Sequence, residues 1–282
     1  MEVRLAREYG FCFGVRRAIE LVETTAKDGS VASFGPVVHN PQVVQKLSAK
    51  GVSVVDKLAD IKSNRVAITA HGVGPDAIEE MERRGLDIVD ATCPIVSISQ
   101  KNARRLIDDG YFVVIYGDAN HREVSGVLGW CRGKAIATLR LADVLELGER
   151  LPRRLGLLSQ TTQHPAHFAS FVNQVMEALL DRMDQVEVVS TLCNATSKQQ
   201  VAALELAAEV EAMVVVGGKQ SANTQHLAGL AAAKGLPTHH IETAAELKPE
   251  WFSGRRVVGV TAGASTPDDV VQEVVARLRE MS

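Results

Sequence analysis

The sequence predicts an α/β protein of three similar parallel-sheet units in a pseudo-threefold arrangement around a central cavity. Three observations carry this expectation. First, hydrophobic residues fill 46% of the 282 positions while aromatics supply only 4%; a core of Ala, Val, Ile and Leu suits buried parallel strands under helices better than an all-β sandwich. Second, three cysteines recur, each after a strand-like lead-in and before a helix-like pattern. Third, polar loops return at matched distances after each cysteine. A chain of this length needs two or three compact units, because a single core stops growing near this size.

The segments EVRLAREYGFCFG, LDIVDATCP and VEVVSTLCN each read as a strand that stops just before Cys12, Cys93 or Cys193. After Cys12, Val15, Ala18, Ile19 and Val22 fall at i, i+3, i+4 and i+7 on one helical face, and SKQQVAALELAAEVEA repeats the arrangement after Cys193. Each of these cysteines is therefore placed at a strand-to-helix turn. A second echo follows 27 or 28 residues later, where VASFGPVVHN brings His39, YFVVIYGDANH brings His121 and AMVVVGGKQSAN brings Ser221. A third closes each unit: RVAITAHG ends at His71, RLGLLSQTT at Thr161 and Thr162, and RVVGVTAGAS at Ser265. Units spanning residues 13–93, 94–190 and 191–282 follow, with the N-terminal strand, residues 1–12, pairing with the first or the third. Ligands of open parallel sheets bind beyond the carboxyl ends of the strands, so units arranged about one centre would aim all these loops into a shared cavity. A string of independent modules is the alternative.

Charge and composition exclude several functions. A net charge of −3, with no run of Lys and Arg, leaves no basic stripe for a nucleic-acid backbone. The opening MEVRLAREYG lacks the apolar core of a signal peptide, and no stretch of about 18 apolar residues marks a membrane span. A cytoplasmic protein is expected, in which the four cysteines are thiols or metal ligands before they are disulfides. No heptad pattern argues for a dimer, so a monomer is expected. GGKQS lacks the four-residue gap of a phosphate-binding loop, and no strand leads into GxGxxG.

Cys12, Cys93 and Cys193 lie 81 and 100 residues apart, unlike any local zinc-finger spacing. Convergence of the units would gather them into a three-thiolate site, either zinc with a bound water or a [4Fe–4S] cluster whose fourth iron lacks a protein ligand. Cys131 is out of phase and reads as a small buried apolar residue. His39, His71 and His121 fall at strand ends beside Asn40, Gly72 and Asn120. With the helix N-termini that follow, such imidazoles suit a phosphate, and Ser221, Asn223 and Ser265 add hydrogen-bond donors. Glu123, in NHREVSG, opens a helix: it either complements the helix dipole or serves the cavity as a proton donor or relay. Gln160, Thr161 and Thr162 can contact a substrate oxygen or that carboxylate. His164, His167, His226, His239 and His240 share no such phase and are read as surface or packing residues.

In order along the chain, FCFGVRRAIELV, GPVVHNPQVV, AHGV, DATCP, NHREVSG, SQTT, CNAT, GGKQSANT and VTAGASTPD closely resemble the 4-hydroxy-3-methylbut-2-enyl diphosphate reductase family, the LytB type. The likeness runs from Phe11 to the C-terminal helix. It implies three α/β units around a central cavity and one [4Fe–4S] cluster with three cysteine ligands, Cys12, Cys93 and Cys193, and an open fourth iron. It implies reductive removal of an allylic hydroxyl to give isopentenyl and dimethylallyl diphosphates, the last step of the methylerythritol phosphate route to isoprenoids. His39, His71, His121, Ser221, Asn223 and Ser265 would hold the diphosphate. Glu123, Thr161 and His121 would form the catalytic set, with Glu123 leading proton delivery and Thr161 contacting the substrate hydroxyl. A ferredoxin or flavodoxin would donate electrons. The chain departs from the family pattern at Arg122, where many members have Pro, at Gln220 in place of a common Asn, and at Ala222 in place of Ser or Gly.

Readings from two other classes, a zinc hydrolase of a phosphorylated small molecule and a non-catalytic iron–sulfur carrier, are separated by direct tests. Metal and sulfide analysis after anaerobic purification is expected to return a brown protein with iron and sulfide, since thiolates hold such clusters; zinc in their place would favour the hydrolase. Turnover of the allylic diphosphate with a chemical reductant distinguishes enzyme from carrier.

Overall fold

The computed structural model describes residues 1–281; Ser282, the last position of the expected third unit, lies outside the described residues. In chain order the main elements are β1 (Glu2–Leu5), α1 (Phe13–Ala26), β2 (Val31–Phe34), α2 (Pro41–Ser48), β3 (Val52–Val55), β4 (Arg65–Ile68), α3 (Pro75–Arg83), β5 (Asp87–Asp90), α4 (Pro94–Asp108), β6 (Phe112–Tyr116) and α5 (Arg122–Trp130). They continue with β7 (Ala135–Thr138), α6 (Leu141–Leu145), β8 (Arg154–Ser159), α7 (Pro165–Leu179), β9 (Gln185–Val188), α8 (Asn194–Ala207), β10 (Ala212–Val216), α9 (Ala222–Ala232), β11 (Thr238–Ile241), β12 (Val257–Ala262) and α10 (Asp268–Glu280). Proline stands at the first turn of α2, α3, α4 and α7, where its missing N–H has no helical partner to lose. Among the described residues no helix is long and apolar enough to cross a membrane.

The strands form three four-stranded sheets, ordered β3-β2-β4-β5, β7-β6-β8-β9 and β11-β10-β12-β1, and every pairing is parallel. The α/β class and the repeated sheet are thus as the sequence predicts. In each sheet the two central strands are apolar runs buried along nearly their whole length. The strand leading to each cysteine is an edge. β5 and β9 expose both their ends to water, through Asp87 and Asp90 and through Gln185 and Val188; polar edges discourage pairing with another chain. β1 pairs with β12, Glu2 opposite Val257 through Leu5 opposite Val260. Residues 1–12 therefore complete the last sheet rather than the first.

The chain divides into two compact units. One holds Met1–Arg16, Val38–Ala49 and Asn194–Ser282 and contains the sheet of β1, β10, β11 and β12. Its core joins Val214, Val216, Val258 and Val260 to Val271, Val274 and Leu278 of α10. The other holds Arg17–Val37 and Lys50–Cys193 and contains the remaining two sheets. Its core includes Val114, Leu155 and Leu157 under Phe168, Phe171 and Val175 of α7. Within this second unit α5 lies against the loop after β4. Trp130 donates its indole N–H to the Val73 carbonyl at 3.0 Å. A Cβ on Gly129 would stand 2.8 Å from Gly74 Cα, and one on Gly126 3.4 Å from the Gly72 carbonyl oxygen.

Two glycines in helices therefore predict opposite outcomes. Gly129→Ala should gain helix propensity of up to about 1 kcal/mol but drive a methyl into backbone, with a net loss of about 1–2 kcal/mol in urea unfolding. Gly229→Ala in α9, where an added Cβ meets nothing within 4 Å, should instead stabilise by about 0.5–1 kcal/mol.

Candidate active site

The parallel ladders do not stop where the strands end. Cys12 donates its amide N–H to the Ala264 carbonyl at 3.2 Å, Cys93 to that of Ala70 at 3.0 Å, and Cys193 to that of Thr161 at 2.9 Å. Each acceptor lies two residues past the end of the adjacent central strand, β12, β4 or β8. The residue after each acceptor is Ser265, His71 or Thr162, the third echo of the sequence. The second echo is equally regular, since His39, His121 and Ser221 each stand five residues past β2, β6 or β10. All three phased cysteines are half-buried and immediately precede a helix. Cys131 differs: it is wholly buried at the end of α5, and burial pushes its thiol up to about 12.

In the compact unit that contains β1, β10, β11 and β12 the structure brings together His39, Ser221, Asn223 and Ser265. Ser221 caps α9, its Oγ accepting from the Thr224 N–H. The Ser265 hydroxyl lies 3.3 Å from the His39 carbonyl oxygen and 3.5 Å from Ser221 Oγ. A Cβ on Gly218 would collide with the His39 carbonyl, so glycine there lets the two loops touch. Asn223 donates from Nδ2 to Gln199 Oε1 at 3.0 Å, and Gln199 donates from Nε2 to the Gly10 carbonyl at 2.7 Å, two residues before Cys12.

In the compact unit that contains the other two sheets His71 and His121 meet edge to face, with ring centroids 5.7 Å apart. His71 Nδ1 lies 3.2 Å from the Thr69 hydroxyl. His121 caps α5 by accepting the Glu123 amide N–H at Nδ1. Glu123 is 3% exposed. Its carboxylate accepts both donors of one residue, the Thr161 N–H at 2.7 Å and the Thr161 hydroxyl at 2.8 Å. The carbonyl of that same Thr161 holds Cys193, so its three polar groups join the buried carboxyl to the thiol-bearing loop. Burial raises the Glu123 pKa above the ordinary 4.5, outweighing the two Thr161 bonds that lower it.

Gln160 does not reach Glu123, which with a substrate oxygen is one of the two partners that the sequence allows it. Its Oε1 accepts from the Asp118 N–H and from Gln163 Nε2, holding the loop before His121. The histidines without phase do serve locally: His164 caps α7, His239 stacks on Trp251 at 4.0 Å and His240 reaches the Gly217 carbonyl. Sequence reasoning passed over two buried glutamines, Gln100 on α4 and Gln199 on α8. Gln100 donates to the Val73 carbonyl in the loop after His71. The available signal was an amide on the apolar face of a helix, six or seven residues after a cysteine.

The chain matches the model of the LytB protein family over residues 3–279. It is 46% identical, over all of this chain and 99% of the relative, to a 4-hydroxy-3-methylbut-2-enyl diphosphate reductase of Dehalococcoides mccartyi strain CBDB1. Among solved structures it resembles an (E)-4-hydroxy-3-methyl-but-2-enyl diphosphate reductase described as the terminal enzyme of the non-mevalonate pathway, with 39% identity and a TM-score of 0.70 over 99% of this chain and all of that one. It also resembles the E-1-hydroxy-2-methyl-but-2-enyl-4-diphosphate reductase of Plasmodium falciparum, with 26% identity and a TM-score of 0.91 over 98% of this chain and 87% of that one.

The raised pKa of Glu123 fixes the sign of a pH effect. Its contribution to stability is fully present below about 4.5, the unfolded value, and is lost as pH rises through the higher folded value. Glu123→Gln, which does not titrate, should therefore gain on the parent chain as pH increases above 4.5, measured by urea unfolding across the range. An advantage that shrinks with rising pH would mean that the Thr161 bonds outweigh burial.

Proposed function

Because this chain belongs to the LytB family, we propose that it catalyses the reaction for which its relatives are named, removing the allylic hydroxyl of 4-hydroxy-3-methylbut-2-enyl diphosphate reductively to give isopentenyl and dimethylallyl diphosphates. The observation that carries the reading is the Glu123 carboxyl, buried and clasped by Thr161 next to the loop of Cys193. Hydroxide is a poor leaving group, and a proton on the departing oxygen converts it to water. A carboxyl whose pKa is raised by burial is suited to hold that proton until it is needed. Thr161 orients the carboxyl and offers its hydroxyl to the substrate oxygen. Two electrons and two protons enter for each hydroxyl lost as water.

Reductases of this family use an iron–sulfur cofactor, and Cys12, Cys93 and Cys193 are proposed as its ligands. The donor set fits: three half-buried thiols, each at the start of a helix, where unpaired N–H groups favour an anionic assembly. When bound, a [4Fe–4S] cluster with three cysteine ligands and an open fourth iron supplies single electrons and a Lewis-acid position, whereas zinc supplies no electrons. His39, His71, His121, Ser221, Asn223 and Ser265 are assigned to the diphosphate. Imidazole, hydroxyl and amide donors at helix starts match its charge and fix the allylic carbon in place. The units 13–93, 94–190 and 191–282, a monomeric cytoplasmic enzyme and a ferredoxin or flavodoxin donor belong to the same proposal.

Glu123→Gln is expected to retain iron, sulfide and substrate binding while turnover falls by about 100-fold or more. Full turnover in that variant would remove Glu123 from the reaction.

A further inference from the structure

Arg122 is the first residue of α5 and stands between His121, which caps the helix, and Glu123. Its guanidinium leaves the helix and crosses Gly35, just after β2, so closely that a Cβ there would lie 2.8 Å from Arg122 Cζ. Gly35 also has φ +89°, a conformation that side chains rarely adopt. Beyond it, Arg122 ends in an ion pair with Asp56, the residue after β3. The ends of β2 and β3 are themselves joined, the Gly35 N–H donating to the Val55 carbonyl at 2.8 Å. Arg122 thus ties the start of α5 to a second sheet of the same unit.

The first turn of α5 is packed on one side only, through buried Glu123 and Val124. A cavity of about 300 Å³ lies beside it, lined by Phe34, Thr69, Gly72, Asn120, Arg122 and Ser125. The other end of α5 is fixed by the Gly129 contact and by the Trp130 bond, so a loosened first turn would pivot about that end and move Glu123. We propose that Arg122 and Asp56 form a positioning pair that holds the first turn of α5, and with it the Glu123 carboxyl, in the place from which it delivers its proton. The inference rests on the role given to Glu123 above. The pair is exposed, at 37% for Arg122 and 76% for Asp56, so salt screens it and it adds little to stability. Its effect is on placement, to which proton transfer is steeply sensitive.

The test uses the loaded enzyme and the variants Arg122→Gln, Asp56→Asn, their combination and Glu123→Gln. Arg122→Gln and Asp56→Asn should each lower kcat by about 5- to 20-fold, with KM within about twofold and the thermal midpoint unchanged. The combined variant should be no slower than the slower single one, as members of one interacting pair behave. The infrared carboxyl band that disappears in Glu123→Gln should broaden in Arg122→Gln. Additive losses, a rise in KM without loss of kcat, or an unchanged band would overturn the pair. If Glu123→Gln is inactive while Arg122→Gln equals the parent chain, this inference alone fails; if Glu123→Gln keeps full turnover, the reading beneath it fails.

Discussion

One hydrogen bond, made three times, orders the rest of the molecule. In each sheet the amide of a phased cysteine pairs with the carbonyl two residues beyond a central strand. Such a bond adds only about 0.5–1.5 kcal/mol, but its effect on register is larger. Side chains alternate faces along a strand, so a slip of one residue would turn the following loop residue away. Holding the ladder past the strand end fixes Cys12 beside the Ser265 turn, Cys93 beside the His71 turn and Cys193 beside Thr161. These loops are thereby tied to the ladder at the carboxyl ends of buried parallel strands.

Thr161 shows how little is needed to link two functions. A buried carboxyl is costly to ionise and needs donors whenever it does so. Thr161 supplies both from one residue while its carbonyl holds the cysteine loop. Replacing it by valine would keep the backbone bonds and remove the hydroxyl alone, so the two roles are chemically separable.

Much of this arrangement was legible in the sequence, for a definite physical reason. Parallel βαβ repeats impose a constant count from strand end to loop residue, so Cys12, Cys93 and Cys193, or His39, His121 and Ser221, announce themselves by spacing. What spacing cannot encode is the partner. β1 reads as a strand with no sign of which sheet it joins, because an edge strand carries only half of a pairing pattern. Residues 38–49 belong with the unit containing β12, although they follow β2 in the chain. Gln199, Gly126 and Gly129 gain their meaning only from Gly10 and from the Gly72–Gly74 backbone. The choice of Thr161 over Gln160 as the partner of Glu123 turns on side-chain direction, which a string of letters does not give.

The pairing of β1 with β12 also constrains the order in which the protein can be built. Residues 2–5 are synthesised 255 positions before their partners 257–260. For most of synthesis the first strand, with Cys12 close behind it, waits as an unsatisfied edge, while the sheets of β2–β5 and β6–β9 can each close from nearby sequence. Contacts of such long separation form slowly. Completion of the sheet of β10, β11 and β12 by β1, and with it the seating of Cys12, therefore waits until β12 has been made, a delay that the middle portion of the chain does not share.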